Sequence, residues 1–262
     1  MEYLSKILKI ESLTPNIKRF IVEKPKDYNF IPGQHTLISI NKPELKDNLK
    51  VIPLQGTRTS KEASKKRPFS FSSPNNENFL EFIIKIYNER NGITKEFDKL
   101  KIKDELILGE PKGKISYKGK GTFIAAGTGI SPFISIIKSL DKNERKDNFL
   151  IYSNKTKDQI ILEEELKEIF KANSGKISIN SSQRDDPAGP SGSQIKENLI
   201  LILTQEKVKG YKNKRIDKEF LKKNIKNFTQ KFYLCGPLKL VAELKKNLIE
   251  LDVKEKNIVS EI

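Results

Sequence analysis

The chain has 262 residues, which is enough for two domains of about 100–150 residues each. It contains a single cysteine, Cys235, and a single histidine, His35, which excludes an internal disulfide, an iron–sulfur cluster and a cysteine–histidine zinc site. We therefore expect no bound metal, and any redox chemistry must come from an organic cofactor held by non-covalent contacts. The net charge of +16 comes from lysines scattered along the chain, which indicates a general bias rather than a face for nucleic acid.

The sequence also gives expectations about location. No stretch approaches the roughly 20 apolar residues of a membrane helix. The first ten residues have neither a long apolar run nor a small-residue cleavage site, so we expect no secretory signal. These features predict a cytoplasmic protein, with an organelle matrix as the alternative, and we expect a monomer.

The first half of the chain has the alternating pattern of short strands separated by turns. A helix is predicted over 91–100, after an Asn-Gly pair. The predicted strands are 3–13, 17–24, 35–40, 68–72, 79–87 and 104–108. Six short strands with one helix predict a six-stranded antiparallel β-barrel.

The second half alternates buried-type strands with helices, which predicts an α/β domain with a parallel sheet and right-handed crossovers. The predicted strands are 121–126, 148–152, 199–204 and 232–234, and the predicted helices are 133–140, 160–170, 217–227 and 238–251. The two domains are expected over 1–115 and 116–262. The segments at about 50–66 and 174–197 fit neither pattern and are interpreted as surface insertions.

The segment from Arg67 to Ser73 could line a flavin. A flavin needs a flat apolar surface for its ring, hydrogen bonds to its polar rim and positive charge for its phosphates. Alternate residues of a strand share a face, so Arg67 and Phe69 are predicted on one face, with Ser70 either turned to the other side or following a bend. An ordinary strand with one arginine explains the same spacing.

Three glycine turns each lie where a ligand could bind. Asn91 to Thr94 precedes a helix and exposes amides suited to an anion, although a capped turn is the simpler interpretation. The turn from Gly127 to Pro132 follows a buried strand and opens a helix, the setting in which a glycine turn binds a dinucleotide, although Pro132 replaces the last glycine of the full fingerprint. The turn from Cys235 to Pro237 follows another buried strand and would meet the same ligand.

Together these motifs, with the turn from Phe30 to Gln34, resemble the ferredoxin–NADP reductase superfamily, which includes flavodoxin reductases and NAD(P)H:flavin oxidoreductases. The resemblance covers nearly the whole chain outside the two insertions. It implies a flavin domain followed by a nucleotide-binding domain. It also implies FAD as the cofactor, with FMN as the alternative, NADPH or NADH as the reductant, and flavodoxin or ferredoxin as the acidic electron carrier.

The resemblance also implies roles for individual residues. Arg67 would pair with the flavin phosphate, Phe69 would stack on the ring and Ser70 would hydrogen-bond near N5. The implied catalytic residues are Ser70, Cys235 and Glu261. The implied cofactor-binding residues are Arg67, Pro68, Phe69, Ser70, Lys85, Gly92, Ile93, Thr94, Gly127, Thr128, Gly129, Thr204, Gln205, Cys235, Gly236 and Pro237.

Some residues depart from the family pattern. Phe69 stands where the family commonly has tyrosine, and no aromatic residue follows Glu261. Thr204 and Gln205 stand where NADP-specific members often have Ser-Arg, which leaves the choice between NADPH and NADH open. Two other functions fit the sequence: an electron-transfer subunit of a larger complex, and a basic polyanion-binding protein with a degenerate flavin site.

Overall fold

The computed structural model describes residues 1–42, 66–89, 92–171 and 198–262. The insertion predicted at about 50–66 lies outside these residues except for Lys66, and the one at 174–197 lies wholly outside them.

The first half of the chain forms a six-stranded antiparallel sheet in the order β4-β3-β6-β1-β2-β5. Its strands are β1 (Tyr3–Thr14), β2 (Ile17–Glu23), β3 (His35–Ile40), β4 (Arg67–Ser70), β5 (Phe79–Lys85) and β6 (Glu105–Leu108). The two edge strands meet, because an antiparallel bridge joins Phe71 to Phe82 and the Ser72 amide donates to the Glu81 carbonyl at 2.8 Å. The sheet therefore closes on itself, and the predicted antiparallel barrel is confirmed.

Aromatic and branched residues fill the barrel. Phe20, Phe71 and Phe82 are fully buried, and the Phe30 and Phe71 rings stack with centroids 3.9 Å apart. Burial of each such side chain contributes about 1.5–3 kcal/mol to folding. The alternation of buried and exposed residues along β2 is the pattern that predicted these strands.

The second half forms a five-stranded parallel sheet in the order β11-β10-β7-β8-β9, which confirms the predicted α/β domain. Its strands are β7 (Gly121–Ala126), β8 (Phe149–Asn154), β9 (Leu199–Leu203), β10 (Lys231–Cys235) and β11 (Ile258–Val259). The strand order reverses between β7 and β10. Ligands of open parallel sheets bind outside the carboxyl ends of the strands at such a reversal.

The helices differ from the predictions more than the strands do. They are α1 (Ile93–Glu96), α2 (Ser131–Ser139), α3 (Lys142–Lys146), α4 (Glu163–Lys171), α5 (Lys218–Asn224) and α6 (Leu238–Ile249). The helix predicted over 91–100 is α1 followed by a 3-10 turn, Phe97–Lys99. Helix α4 begins after the predicted 160 because Leu162 has a left-handed backbone, with φ of 56°. Helix α5 ends before the predicted 227 because Ile225 is extended and buried.

The barrel packs directly against the parallel sheet domain. Ile17 and Ile83 of the barrel belong to the same buried cluster as Ile130 and Phe133 at the start of α2. Across this contact the Ser135 hydroxyl donates to a barrel carbonyl. Over the described ranges, no helix combines the length and the apolar character that crossing a membrane requires.

Candidate functional site between the barrel and the parallel sheet

Two predicted glycine turns pack against each other at the reversal in strand order. The chain leaves β7 through a 3-10 turn, Gly127–Ile130, and leaves β10 through Cys235 and Gly236. A Cβ atom on Gly129 would lie 2.6 Å from the Cys235 carbonyl oxygen, so only glycine allows this approach. Gly127 has φ of 54° and no heavy atom within 4 Å of its ideal Cβ position. Its backbone therefore borders open space where a ligand can approach.

The neighbouring strand end carries a polar group that sequence reasoning missed. In the parallel register Ser153 lies opposite Ala126, which puts Asn154 beside Gly127. The Asn154 carbonyl accepts a hydrogen bond from the Thr204 amide at 2.9 Å. The Asn154 side chain is buried, and its Nδ2 makes no close hydrogen bond among the described residues, although the Tyr152 hydroxyl is a polar neighbour. This position between two predicted nucleotide contacts therefore offers a buried amide to a polar ligand.

The edge of the barrel presents the predicted flavin residues in the predicted alternation. Arg67 and Phe69 lie opposite Ile38 and Thr36, and Ser70 lies opposite His35. Phe69 is half-buried and meets the buried Phe97 edge-on, with ring centroids 5.3 Å apart. Phe97 thus supports the Phe69 ring from the barrel interior.

Glu261 connects this edge to the parallel sheet. Its carboxylate accepts from the Lys114 amide at 3.1 Å and the Ile115 amide at 3.4 Å. Its Oε1 lies 3.8 Å from His35 Nδ1. Burial raises the pKa of Glu261, but His35 and the two amides outweigh burial and the net pKa is lowered. Glu261 is therefore ionised at neutral pH. Its contacts with the Lys114 and Ile115 amides and with His35 connect the end of the chain to the barrel.

Cys235 lies on the sheet side of the same cluster. Burial, with a smaller contribution from the Glu261 charge, raises the pKa of the Cys235 thiol to about 12. The thiol is consequently neutral at physiological pH and is not an activated nucleophile. A neutral thiol suits the predicted contact with a nicotinamide ring. Ser70 pairs with His35 in the sheet, His35 lies 3.8 Å from Glu261, and the Glu261 charge acts on the Cys235 thiol across the boundary between barrel and sheet.

The predicted residues around α1 differ in how accessible they are to a cofactor. Gly92 has an extended backbone, with φ of −160°, and no heavy atom within 4 Å of its ideal Cβ position. The Ile93 side chain is buried in the barrel core, so only its backbone can contact a cofactor. Thr94 is half-buried, and the Lys85 Nζ lies 5.7 Å from the centroid of the Tyr87 ring. Asn91 lies outside the described residues.

The surroundings of Gly129 and Gly92 predict that the same substitution destabilises the protein at the first position and has little effect at the second. We expect Gly129→Ala to lower the free energy of unfolding by about 1–3 kcal/mol, because the added methyl group meets backbone atoms that cannot move aside. We expect Gly92→Ala to change stability by less than about 1 kcal/mol, because space is available and the φ angle suits alanine. Thermal melting of both variants checks this. Equal melting temperatures for the two variants would contradict the close packing of the two turns.

A surface pocket lies beyond the ends of β8 and β9. Its volume is about 520 Å³ and it is lined by Thr156, Lys157, Asp158, Glu163 and Glu206. The Glu206 carboxylate accepts from the Lys157 amide at 2.7 Å, and the Lys157 ammonium lies 5.8 Å from the centroid of the Tyr211 ring.

The predicted residues Thr204 and Gln205 are exposed and directly precede Glu206 of this pocket. Sequence reasoning considered those two positions and missed Glu206. The sequence pattern that could have indicated Glu206 is an acidic residue just after a strand of a parallel sheet, because a carboxylate in that position can contact a ribose.

Comparisons with known proteins agree with this arrangement. The family model of the oxidoreductase NAD-binding domain matches residues 123–246. NADH-cytochrome b5 reductase 1 of Laccaria bicolor is 29% identical over 189 residues, covering 70% of this chain and 56% of that protein. NADH-cytochrome b5 reductase 1 of Rattus norvegicus is 26% identical over 202 residues, covering 64% of this chain and 60% of that protein. The chain thus spans little more than half the length of these relatives.

Solved structures share the fold over nearly the whole chain. The cytochrome b5 reductase domain of Ulva prolifera nitrate reductase has a TM-score of 0.72 at 16% identity, covering 98% of this chain and 96% of that one. A ferredoxin NADP+ reductase from Neisseria gonorrhoeae, solved with bound FAD and NADP, has a TM-score of 0.67 at 19% identity, with the same coverage of 98% and 96%.

Proposed function

We propose that this chain is a member of the ferredoxin–NADP reductase superfamily, and that it is an FAD-dependent reductase that oxidises NADH and passes electrons to a haem protein. The proposal rests on one observation: the Gly127 turn and the Cys235 turn lie together at the end of the parallel sheet, next to the barrel edge that carries Ser70. Glu261 reaches from the sheet domain to His35, which lies opposite Ser70, while Cys235 and Gly129 are in contact behind it. This arrangement brings one residue set for each cofactor to the boundary between barrel and sheet.

The residues of the barrel edge fit FAD. Arg67 offers a guanidinium for a phosphate, the supported Phe69 ring offers an apolar surface, and Ser70 offers a hydroxyl on the other face of the strand. The open backbone at Gly92 allows a pyrophosphate to approach the start of α1. When bound, the flavin supplies the chemistry that converts a two-electron donor to one-electron transfer. The protein would supply orientation, with Glu261 and the half-buried Cys235 beside the nicotinamide side of the site.

The residues of the sheet edge fit a dinucleotide, and they favour NADH over NADPH. Gly127 and the buried Asn154 amide border the place where a pyrophosphate and ribose would lie. Of the residues that line the adjoining pocket, three are carboxylates and one is a lysine, so the net negative lining would disfavour a 2′-phosphate. A carboxylate at the end of a parallel strand instead suits the two free hydroxyls of the NADH ribose. The names of the curated relatives, which specify NADH, support this choice.

We propose a cytochrome as the electron acceptor, in place of the flavodoxin or ferredoxin that the sequence resemblance implies. The curated relatives reported above are named cytochrome b5 reductases, which favours a b-type cytochrome. The net charge of +16 suits an acidic partner of either kind, because charge complementarity accelerates encounter.

Anaerobic titration of the purified protein tests the proposal. We expect a flavin absorption spectrum, bleaching of the flavin band by one equivalent of NADH, and faster reduction of cytochrome b5 than of flavodoxin or ferredoxin. Faster reduction of ferredoxin would overturn the acceptor. A protein that stays colourless after incubation with FAD would overturn the function itself, and retention on polyanions would then favour the binding-protein alternative.

A further inference from the structure

We propose that Ser135 is a positioning residue that fixes the nicotinamide site relative to the flavin site. The inference rests on the proposed function and adds a residue to it. Ser135 lies on α2, which starts directly after the Gly127 turn. Its hydroxyl donates to the Ser73 carbonyl at 2.6 Å, and both residues are almost completely buried. This bond joins the helix that follows the nucleotide turn to the strand end that follows Ser70.

The accepting side of this bond is held by a second set of buried contacts. The Ser73 hydroxyl accepts from the Glu81 amide at 3.1 Å, and the Ser72 hydroxyl donates to Glu81 Oε1 at 2.8 Å. Glu81 is 4% exposed, and its Oε2 lies 3.8 Å from an Arg19 guanidinium nitrogen. These contacts tie the segment after β4 to β5 at the closure of the barrel. The Ser73 carbonyl is therefore a fixed point of the barrel, against which α2 can be located.

The remaining contacts between α2 and the barrel do not give the same precision. Those seen among the described residues are apolar, in a buried cluster that includes Ile17 and Ile83 of the barrel with Ile130 and Phe133 at the start of α2. Apolar burial is non-directional and tolerates small displacements, whereas a short hydrogen bond fixes both distance and angle. Hydride transfer requires the reacting atoms within about 3–3.5 Å, and small misplacements reduce its rate steeply. Loss of the Ser135 bond should therefore alter the transfer step more than it alters binding.

Rapid mixing of NADH with the FAD-loaded protein tests this inference. We expect Ser135→Ala to lower the limiting rate of flavin bleaching at saturating NADH by about tenfold, with the KM for NADH changed less than about threefold and the flavin still bound. Ser135→Cys keeps the shape and a weak donor, so an intermediate rate is expected. Ser139→Ala is the matched control, because the Ser139 hydroxyl lies one turn further along α2 and donates only to the Ser135 carbonyl at 2.7 Å. It should bleach at the wild-type rate.

The outcomes separate the inference from the function on which it rests. Wild-type protein that does not bleach overturns both. Wild-type bleaching with an unchanged limiting rate in Ser135→Ala overturns the positioning role alone, as does a lower melting temperature without a change in that rate. If Ser135→Ala does not fold, the limiting rate of Ser135→Cys decides, and a rate equal to that of Ser139→Ala rejects the proposal.

Discussion

Replacing Arg67 with alanine is expected to weaken FAD binding about 10- to 100-fold while leaving the barrel folded. Arg67 is the first residue of β4 and is half-buried beside the proposed flavin site. A hydrogen bond to a charged group contributes about 1.5–3 kcal/mol, which corresponds to that loss of affinity. Flavin fluorescence during titration of the apoprotein with FAD gives the dissociation constant directly.

The neighbouring cation provides the control for this prediction. Lys66 precedes Arg67 in the chain and already pairs with the carboxylate of Glu2. We expect Lys66→Ala to bind FAD as the wild-type protein does. Equal weakening in both variants would show that general positive charge, rather than Arg67, holds the phosphate. Unchanged affinity in Arg67→Ala would remove Arg67 from the site.

Replacing Glu206 with arginine is expected to raise the ratio of kcat/KM for NADPH over NADH by about 100-fold. The substitution removes a carboxylate from an acidic pocket and supplies a guanidinium for the 2′-phosphate, and relief of like-charge contact is worth several kcal/mol. Glu206→Gln keeps an oxygen that can accept from the Lys157 amide and removes only the charge, so a smaller increase is expected. Steady-state kinetics with both nucleotides provides the measurement.

A change of overall charge could alter nucleotide kinetics without any local contact. Glu164→Arg makes the same charge change on α4 at a side chain that is 82% exposed and lies outside the pocket lining. We expect its NADPH to NADH ratio to match that of the wild-type protein. A ratio that moves equally in both arginine variants, or in neither, would argue against Glu206 as the residue that selects the nucleotide.

The strand pattern of this protein is strongly encoded locally, and the smaller elements are not. Predicted strands lie within two residues of the observed ones because alternation along strands such as β2 is a local signal. Strand β11 was not predicted, since Ile258 and Val259 are strand only through pairing with β10. Helix α3 was also missed because it has no apolar face, although a capping box joins Asp141 and Glu144 and could have indicated its start.

The site was partly predictable for a similar reason. Motifs such as the Gly127 turn carry a local signature, and their order along the chain supported the resemblance. The contact of Gly129 with Cys235 depends on which strands are neighbours, and the approach of Glu261 to His35 depends on how two domains pack. Neither follows from residue spacing. Ile93 is the opposite case. Its motif suggested a cofactor contact, and nothing in the spacing indicated that its side chain would be buried in the barrel core.

The stretch that joins the two sheets is anchored along its length. The Lys114 amide donates to Glu261, and further along the Lys118 amide donates to the Tyr233 hydroxyl at 2.9 Å, while that hydroxyl donates to the Gly119 carbonyl at 2.5 Å. A connection tied in this way cannot serve as a hinge. The proposed site is therefore assembled when the polypeptide folds, and we expect a dinucleotide to be admitted by side-chain adjustments rather than by a swinging of one half of the molecule over the other.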